Sequence, residues 1–352
     1  MELTIDNIKK ALSKVIEPDL NKDIITLGLV ENIKIDKNSV SFTVKISNPA
    51  MHSRKRMQEA CDFAVERQLG KDIKVNVNVE ALPKDRDPSI RAILPNVKHI
   101  VAIASGKGGV GKSTITTNLA AGLAKRGYKV GLVDADIYGP SAPTMFDLVG
   151  QRPQGVDVNG KTLIKPLESY GVKILSIGFF SDPDQAVVWR GPMATKALNQ
   201  LFKDAHWEDL DYLLIDLPPG TGDIHLTLVQ NIPLSGAIVV TTPQEVALAD
   251  ARKGINMFKM DSIKVPVLGL VENMAWFTPA ELPENKYYIF GKDGGKNLAE
   301  TMYVPLLAQI PLIQSVREAG DVGRPAVLQE DTPSAKVFDD FVTKFVDKVE
   351  KK

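Results

Sequence analysis

The chain has little cysteine, no excess of charge and no long apolar run. Cys61 is the one cysteine in 352 residues, which excludes a disulfide within the chain. Lysine plus arginine equals aspartate plus glutamate at 43 each, so no global charge attracts nucleic acid or an anionic membrane. No apolar run is long enough to span a bilayer, and the first residues lack the features of a signal peptide. We therefore expect a cytoplasmic protein with no nucleic-acid or membrane partner.

The length favours two domains, and residues 1–80 have the pattern of a small α+β domain. Apolar residues at helical spacing predict helices near residues 5–16 and 53–69. Alternating apolar residues predict three strands, of which the first two form a hairpin around Asp36-Lys37-Asn38; the strands span residues 29–35, 40–46 and 73–79. Residues 81–96 are rich in proline and charge without periodicity, and we expect them to be a linker.

A phosphate-binding loop follows the linker. Its residues are Gly106, Lys107, Gly108, Gly109, Val110, Gly111, Lys112, Ser113 and Thr114. The glycines let backbone N–H groups surround an anion, Lys112 reaches the β- and γ-phosphates, and the Ser113 hydroxyl is a Mg²⁺ ligand. A short apolar run, residues 99–104, predicts a buried strand before the loop, and Ile115, Leu119 and Leu123 predict a helix after it. The sequence therefore predicts a site for ATP and Mg²⁺.

Residues 97–352 alternate apolar runs with helical stretches, which predicts a P-loop NTPase fold with a mainly parallel sheet and helices on both faces. The runs span residues 100–104, 130–133, 172–177, 212–215, 237–241, 267–271 and 306–310. In such folds ligands bind at the carboxyl ends of the strands. We therefore expect further residues of the site where these runs end.

Five polar or glycine positions at or just after those ends are candidates. Asp216 ends a strand and is placed to hold Mg²⁺ through its water shell, and the amide of Gly220 is placed to contact the γ-phosphate. Asp136 is a candidate for orienting the attacking water, and Asp134 for a contact to Mg²⁺ through another ligand; turn-forming roles for both remain open. The side chain of Asn273 has the groups to pair with adenine, although a turn-forming asparagine is the alternative.

Five ordered motifs together resemble the Mrp/ApbC family of deviant Walker A ATPases. They are the loop Gly106–Thr114, Asp134-Ala-Asp136-Ile-Tyr-Gly-Pro, Trp189-Arg-Gly-Pro-Met193, Asp216-Leu-Pro-Pro-Gly-Thr-Gly-Asp223 and Glu272-Asn-Met274. Residues 1–80 are similar to the SufT-like iron-sulfur assembly domain. The resemblance implies an ATP-hydrolysing homodimer that passes iron-sulfur clusters to apoprotein clients or works with scaffold proteins. It also implies that Lys107 reaches the partner's phosphates and that Asn273 contacts adenine.

The chain departs from that family at the cluster ligands. Family members that carry clusters have Cys-x-x-Cys shortly after Glu-Asn-Met, whereas residues 275–283 here contain no cysteine. Cys61 lies on an apolar helical stripe, so we interpret it as a small buried hydrophobe, and four-iron clusters need about four thiolates. His52, His99, His206 and His225 have no paired metal-ligand spacing.

Two other classes of function are open to such a fold. A positioning or partition ATPase would bind a membrane, DNA or a protein in its ATP state, and the apolar stripe along residues 337–349 is its candidate surface. The polar side of that stripe mixes acids with lysines, which favours packing on the ATPase domain over binding to lipid. A reductase that couples ATP to electron transfer would need cluster thiolates, which the chain lacks.

Overall fold

The computed structural model describes residues 3–18, 22–36, 39–46, 51–70, 73–81, 94–180, 191–279 and 281–350. The chain divides into two compact units, Met1–Ala92 and Ile93–Lys352. The predicted linker falls largely on residues 82–93, outside the described residues, as do Lys37 and Asn38 of the predicted turn and Trp189 and Arg190 of the third motif.

The first unit is a three-stranded sheet with two helices. Its elements are α1 (Ile5–Leu12), β1 (Ile16–Glu17), β2 (Lys22–Asp23), β3 (Val30–Asp36), β4 (Ser39–Ile46), α2 (Met51–Leu69) and β5 (Lys74–Ala81). Strands β3 and β4 form the predicted antiparallel hairpin, and β5 lies parallel to β4 at the edge of the order β3-β4-β5. The first helix ends earlier than predicted, because Ile16 belongs to the short strand β1 and is half-exposed.

Cys61 lies in the core of this first unit. Its side chain is fully buried among apolar residues such as Ile8, Phe42 and Val65. Burial, assisted by the neighbouring charge of Asp62, raises the pKa of the thiol to about 12. Because a thiolate is the form that binds metals, this environment disfavours cluster ligation and agrees with the interpretation of Cys61 as a small hydrophobe.

The second unit is built on an eight-stranded sheet. The strands of the unit are β6 (Val97–Ser105), β7 (Val130–Asp134), β8 (Gln154–Val158), β9 (Lys161–Lys165), β10 (Leu167–Ser169), β11 (Val172–Ser176), β12 (Leu210–Asp216), β13 (Gly236–Thr241), β14 (Val267–Phe277) and β15 (Leu306–Leu312). Strands β8 and β9 of this unit pair only with each other. Its α-helices are α3 (Lys112–Lys125), α4 (Ala142–Met145), α5 (Gly191–Lys203), α6 (Asp223–Asn231), α7 (Glu245–Lys259), α8 (Gly294–Thr301), α9 (Gln314–Asp321) and α10 (Pro333–Glu350).

The large sheet has the order β10-β11-β7-β12-β6-β13-β14-β15. All neighbouring strands are parallel except β10, which runs antiparallel to β11, so the predicted mainly parallel sheet is confirmed. One apolar core covers each face, with α3 and α10 on one side and α5, α6 and α7 on the other. The central strands are buried on both faces, which explains their continuous apolar sequences. The hairpin β8–β9 was not predicted, because most of its side chains are exposed or half-buried.

The C-terminal helix α10 packs on the rest of the second unit. Thr332 caps it by accepting a hydrogen bond from the N–H of Ala335. The apolar stripe is buried at Phe338, Phe341 and Phe345, which join the core that covers α3. The surface that a membrane-binding helix would need is therefore already covered by the protein. Among the helices of the described ranges, none combines the length and apolar character that crossing a bilayer requires.

We predict that Phe345→Ala lowers the free energy of unfolding of this unit by about 3–5 kcal/mol, because it removes a fully buried ring that also contacts Tyr212. All three tryptophans, Trp189, Trp207 and Trp276, lie in the second unit, so tryptophan fluorescence during urea unfolding reports on that unit alone. The control is Lys344→Ala on the exposed side of the helix, with an expected change below about 0.5 kcal/mol. Equal unfolding midpoints for the two variants would contradict the packing of α10.

Candidate functional site

The phosphate-binding loop connects the end of β6 to the start of α3. Gly109 and Gly111 both have φ of +83°, and Gly111 caps α3 without a side-chain hydrogen bond, which leaves the first amides of the helix available to an anion. Two glycines are also required by close contacts. A Cβ on Gly106 would lie 2.2 Å from the backbone carbon of Asp250, and one on Gly111 would lie 2.1 Å from Nδ2 of Asn273.

Asp216 at the end of β12 accepts hydrogen bonds from three side chains of the loop and of α3. Lys112 donates from Nζ to Oδ1 at 2.7 Å, Ser113 donates from Oγ to Oδ2 at 2.6 Å, and Thr116 donates from Oγ1 to Oδ1 at 2.9 Å. The ion pair of Lys112 and Asp216 is buried, with 6% and 4% of the two side chains exposed. The residues predicted to bind phosphate and metal therefore lie together, and in this structure they bind one another.

Asp134 lies beside Asp216, on the neighbouring strand β7 and in register with it. Its carboxylate is fully buried and accepts hydrogen bonds from Ser176 Oγ, the N–H of Ala142 and the N–H of Asp136. Burial, followed by the charge of Asp216, raises the pKa of Asp134 above its ordinary value. Because these donors occupy its oxygens, Asp134 is placed to support neighbouring residues of the site and not to contact a ligand itself.

Asp136 and Lys107 lie at the exposed side of the site. Asp136 is half-buried, and its Oδ1 accepts from the N–H groups of Tyr138 and Gly139 at 3.3 Å each, so it does shape a turn. Its role with water stays a prediction. Lys107 is exposed on the loop, and its ammonium has no ion pair within the described residues. Its predicted action on a partner's phosphates is likewise untested.

Two positions differ in detail from their expected roles. The N–H of Gly220 donates to the carbonyl of Ser105 at 2.9 Å, so it does not point to a γ-phosphate in this structure. Strand β14 does not end at Asn273 but continues to Phe277, with a register shift and with Met274 at φ of 55°. At its end Phe277 pairs with Leu312 of β15 and exchanges backbone hydrogen bonds with Tyr287 at 2.8 Å. The Asn273 amide is buried and donates from Nδ2 to the carbonyl of Val110, which ties the strand to the phosphate-binding loop.

The residues fit a Mg²⁺ ion that is bound together with a nucleotide. Ser113 Oγ would be a hard oxygen ligand, and Asp216 Oδ2, 2.6 Å from it, would hold the ion through its water shell, with phosphate oxygens and waters as the remaining ligands. Within the part of the chain that the structure describes, no group of three or more histidine, cysteine, aspartate or glutamate side chains is arranged to hold a metal ion by itself. The arrangement therefore suits a metal that arrives with phosphates.

The sequence analysis missed several side chains of this site. Thr116 lies one turn after Lys112, and that spacing alone could have placed both on one face of the helix. Ser176 ends β11 and could have been found as another polar residue at a strand end. Glu272, fully buried, accepts from the N–H of Gly295 and from Gln309, and no local pattern indicates those distant partners.

The parallel sheet, the glycine loop before α3 and the lysine held on a strand-end aspartate define a P-loop nucleoside triphosphatase. Residues 96–346 match the family described as NUBPL iron-transfer P-loop NTPase, and residues 5–79 match the family described as iron-sulfur cluster assembly protein. The chain belongs to the NUBPL iron-transfer P-loop NTPase family, with an iron-sulfur assembly domain before the NTPase, as the resemblance implied.

Relatives and solved structures agree with this assignment. The iron-sulfur cluster carrier protein of Synechocystis is 44% identical over 96% of this chain and 95% of its own length, and that of Escherichia coli K12 is 44% identical over 88% and 83%. A nucleotide-binding protein from Archaeoglobus fulgidus in complex with ADP shares 35% identity with a TM-score of 0.60 and covers 72% of this chain and 95% of its own. The cell division ATPase MinD of Pyrococcus furiosus, 24% identical with a TM-score of 0.51 over 72% and 99%, shows the shared fold.

We predict that Asp216→Asn raises the affinity for ATP measured without Mg²⁺ by about 10-fold, because Lys112 is released from its ion pair. The same change should remove most of the gain in affinity that Mg²⁺ gives the parent protein, because the carboxylate charge that would hold the hydrated metal is lost. Calorimetric titration with ATP in EDTA and in Mg²⁺ measures both effects.

Asp211→Asn is the matched control, because it removes a carboxylate from the start of the same strand, where Asp211 pairs with Lys98. We expect both affinities of that variant to equal the parent's. If Asp216→Asn leaves binding unchanged in EDTA, the ion pair does not compete with nucleotide.

Proposed function

We propose that this protein is an ATP-hydrolysing iron-sulfur cluster carrier or assembly factor that helps to deliver clusters to apoproteins. The observation that carries this proposal is the cluster of Lys112, Ser113 and Asp216 at the phosphate-binding loop, in a chain that joins an iron-transfer NTPase to an assembly domain. The names of the relatives as cluster carriers support the same role.

Each side chain of the site has a step in binding and hydrolysis. Lys112 leaves Asp216 for the β- and γ-phosphates, and Ser113 and Asp216 would then be free to hold Mg²⁺. The metal, when bound, neutralises charge on the phosphates. Asp134 and its donors keep Asp216 in place from the neighbouring strand. The loop amides of residues 106–111 and of the first turn of α3 surround the phosphates. Asn273, on β14, contacts adenine once its Nδ2 leaves the carbonyl of Val110.

Lys107 and Asp136 act on the transition state. The exposed position of Lys107 supports a model in which two copies pair face to face and each lysine neutralises the γ-phosphate of the other copy. Asp136 orients the attacking water from the loop after β7. ATP then drives the assembly of a homodimer, and hydrolysis releases it.

The cluster is the cargo of this protein, and we propose that its ligands come from a partner. The chain contains one thiol per copy, which is buried and has a raised pKa. A homodimer therefore offers two thiols where a four-iron cluster needs about four. An apoprotein client or a scaffold protein that owns the cysteines is the expected partner, and we expect both proteins to meet in the cytoplasm.

A matched pair of lysine variants tests the nucleotide roles. We expect Lys112→Ala to lose ATP binding, because it removes the charge that meets the β- and γ-phosphates. We expect Lys107→Ala to keep ATP binding and to lose turnover by about 10²-fold or more, because that lysine acts only in the transition state. Binding is measured by calorimetry and turnover by phosphate release; parental turnover in Lys107→Ala would rule out the shared site.

Anaerobic reconstitution with iron and sulfide tests the cluster proposal. We expect the desalted protein to retain far less than four irons per dimer, because no set of thiolates is available. The parallel sample is Cys61→Ser, which should give the same iron and sulfide content as the parent. About four of each per dimer in the parent, lost in Cys61→Ser, would make Cys61 a ligand and overturn the proposal.

A further inference from the structure

His225 on α6 is a buried polar side chain that the proposed mechanism does not use. It is 2% exposed and lies next to the ring of Phe258. Its Nδ1 is 3.3 Å from the carbonyl oxygen of Pro218, and its Nε2 has no hydrogen-bond partner within the described residues. A carbonyl oxygen only accepts, so Nδ1 carries the proton and donates, and Nε2 is bare. Burial lowers the pKa of His225 to about 4, which keeps the ring neutral.

The hydrogen bond to Pro218 matters because of the loop that it holds. Residues 217–222 lead from the metal-site residue Asp216 to α6, and two consecutive prolines, Pro218 and Pro219, supply no N–H for anchoring the backbone. The carbonyl of Pro218 is therefore an important attachment point. Among the described residues, the other backbone hydrogen bonds of this segment run from the Leu217 N–H to the Ile103 carbonyl at 3.0 Å and from the Gly220 N–H to the Ser105 carbonyl at 2.9 Å, with Gly222 already accepting from the N–H of Leu226 in α6.

Contact with a γ-phosphate requires the N–H of Gly220 to leave Ser105. When it does so, the attachments that remain before α6 are Leu217 on one side and the contact of His225 with Pro218 on the other. The His225 side chain then fixes the Pro218–Pro219 peptide, which directly precedes the Pro219–Gly220 peptide with the moving N–H. Without that fixed point, the two-proline segment would turn as a whole and the N–H of Gly220 would have no defined direction.

We propose that His225 is a positioning residue for γ-phosphate recognition, which holds the Pro218 carbonyl while the Gly220 amide turns from Ser105 to the phosphate. This inference rests on the proposed binding of ATP at the loop. A side chain with only a packing role has no need for nitrogens here, since an apolar ring would fill the space beside Phe258 and leave no bare acceptor.

A second observation supports two arrangements of this loop. Ser105, whose carbonyl holds Gly220 in the present arrangement, has a buried hydroxyl oxygen without a hydrogen-bond partner in the described part of the chain. The two residues that hold the Pro218–Gly220 segment, His225 and Ser105, thus each have a buried polar atom without a hydrogen-bond partner in the described part of the chain. Such atoms are rare in folded proteins and each calls for an explanation, which a second arrangement of this loop provides.

Asparagine and leucine at position 225 provide the test, because the two side chains have nearly the same size and shape. Both variants leave the same space in the core, but only asparagine has an N–H that can replace Nδ1 as the donor to Pro218. The measurement is the affinity for a non-hydrolysable ATP analogue relative to that for ADP, by calorimetry with Mg²⁺. This ratio isolates the γ-phosphate contact and needs no turnover.

We expect His225→Asn to keep the analogue-to-ADP affinity ratio within about 3-fold of the parent's, and His225→Leu to lower it by about 10-fold, which is the effect of one lost hydrogen bond. ADP affinity should stay within about 2-fold in both variants, because ADP lacks the γ-phosphate. His225→Phe keeps the ring volume without a donor, and it should behave as leucine does if the leucine variant does not fold.

Three outcomes would overturn the inference. They are equal ratios in the asparagine and leucine variants, an equal loss of ADP affinity in the leucine variant, and a parent protein that binds the analogue no better than ADP. If the parent binds neither nucleotide, the proposed function fails as well. If it binds both with the expected ratios but does not hydrolyse ATP, the positioning role stands and only the hydrolytic part of the proposed function is lost.

Discussion

The buried carboxylate of Asp216 is the constraint on which the rest of the NTPase unit depends. A buried charge must be paired, and this one is paired by a lysine and by two hydroxyl groups that all come from one loop and the helix that follows it. The end of β12 and the start of α3 are thereby fixed together. The phosphates of a nucleotide must replace these contacts, so binding at the site involves an exchange of partners around one carboxylate.

The fold was predictable wherever burial produced a continuous pattern. The strands buried on both faces and the helix marked by Ile115, Leu119 and Leu123 appear where the sequence indicated them. The separate hairpin β8–β9 was not predicted because its side chains are exposed or half-buried, so that no apolar pattern marks it. The end of β14 was predicted too early for a different reason, because Phe277 pairs with Leu312 and Tyr287 beyond an irregular position that no short pattern marks.

In the site, too, the residues of local motifs were predictable, whereas their partners from distant parts of the chain were not. Motif spacing identified Lys112, Ser113 and Asp216, because the chemistry of phosphate and metal dictates the residue types at each strand end. The partners that hold those residues were not predictable in the same way. Ser176 contacts Asp134 and His225 contacts Pro218 because of how neighbouring elements pack, and no short sequence pattern predicts that packing.

The position of α10 also has a consequence for biosynthesis. Its three buried phenylalanines complete a core whose other members begin at Val101, so this core cannot close before residues 338–345 have been translated. The first unit has its own separate core, which is complete at Val77. Since ribosomes add about 5–20 residues per second, roughly 13–50 s separate these two events. As the strands that carry the nucleotide site are made during that interval, one of their two apolar faces lacks its complete cover until α10 is available.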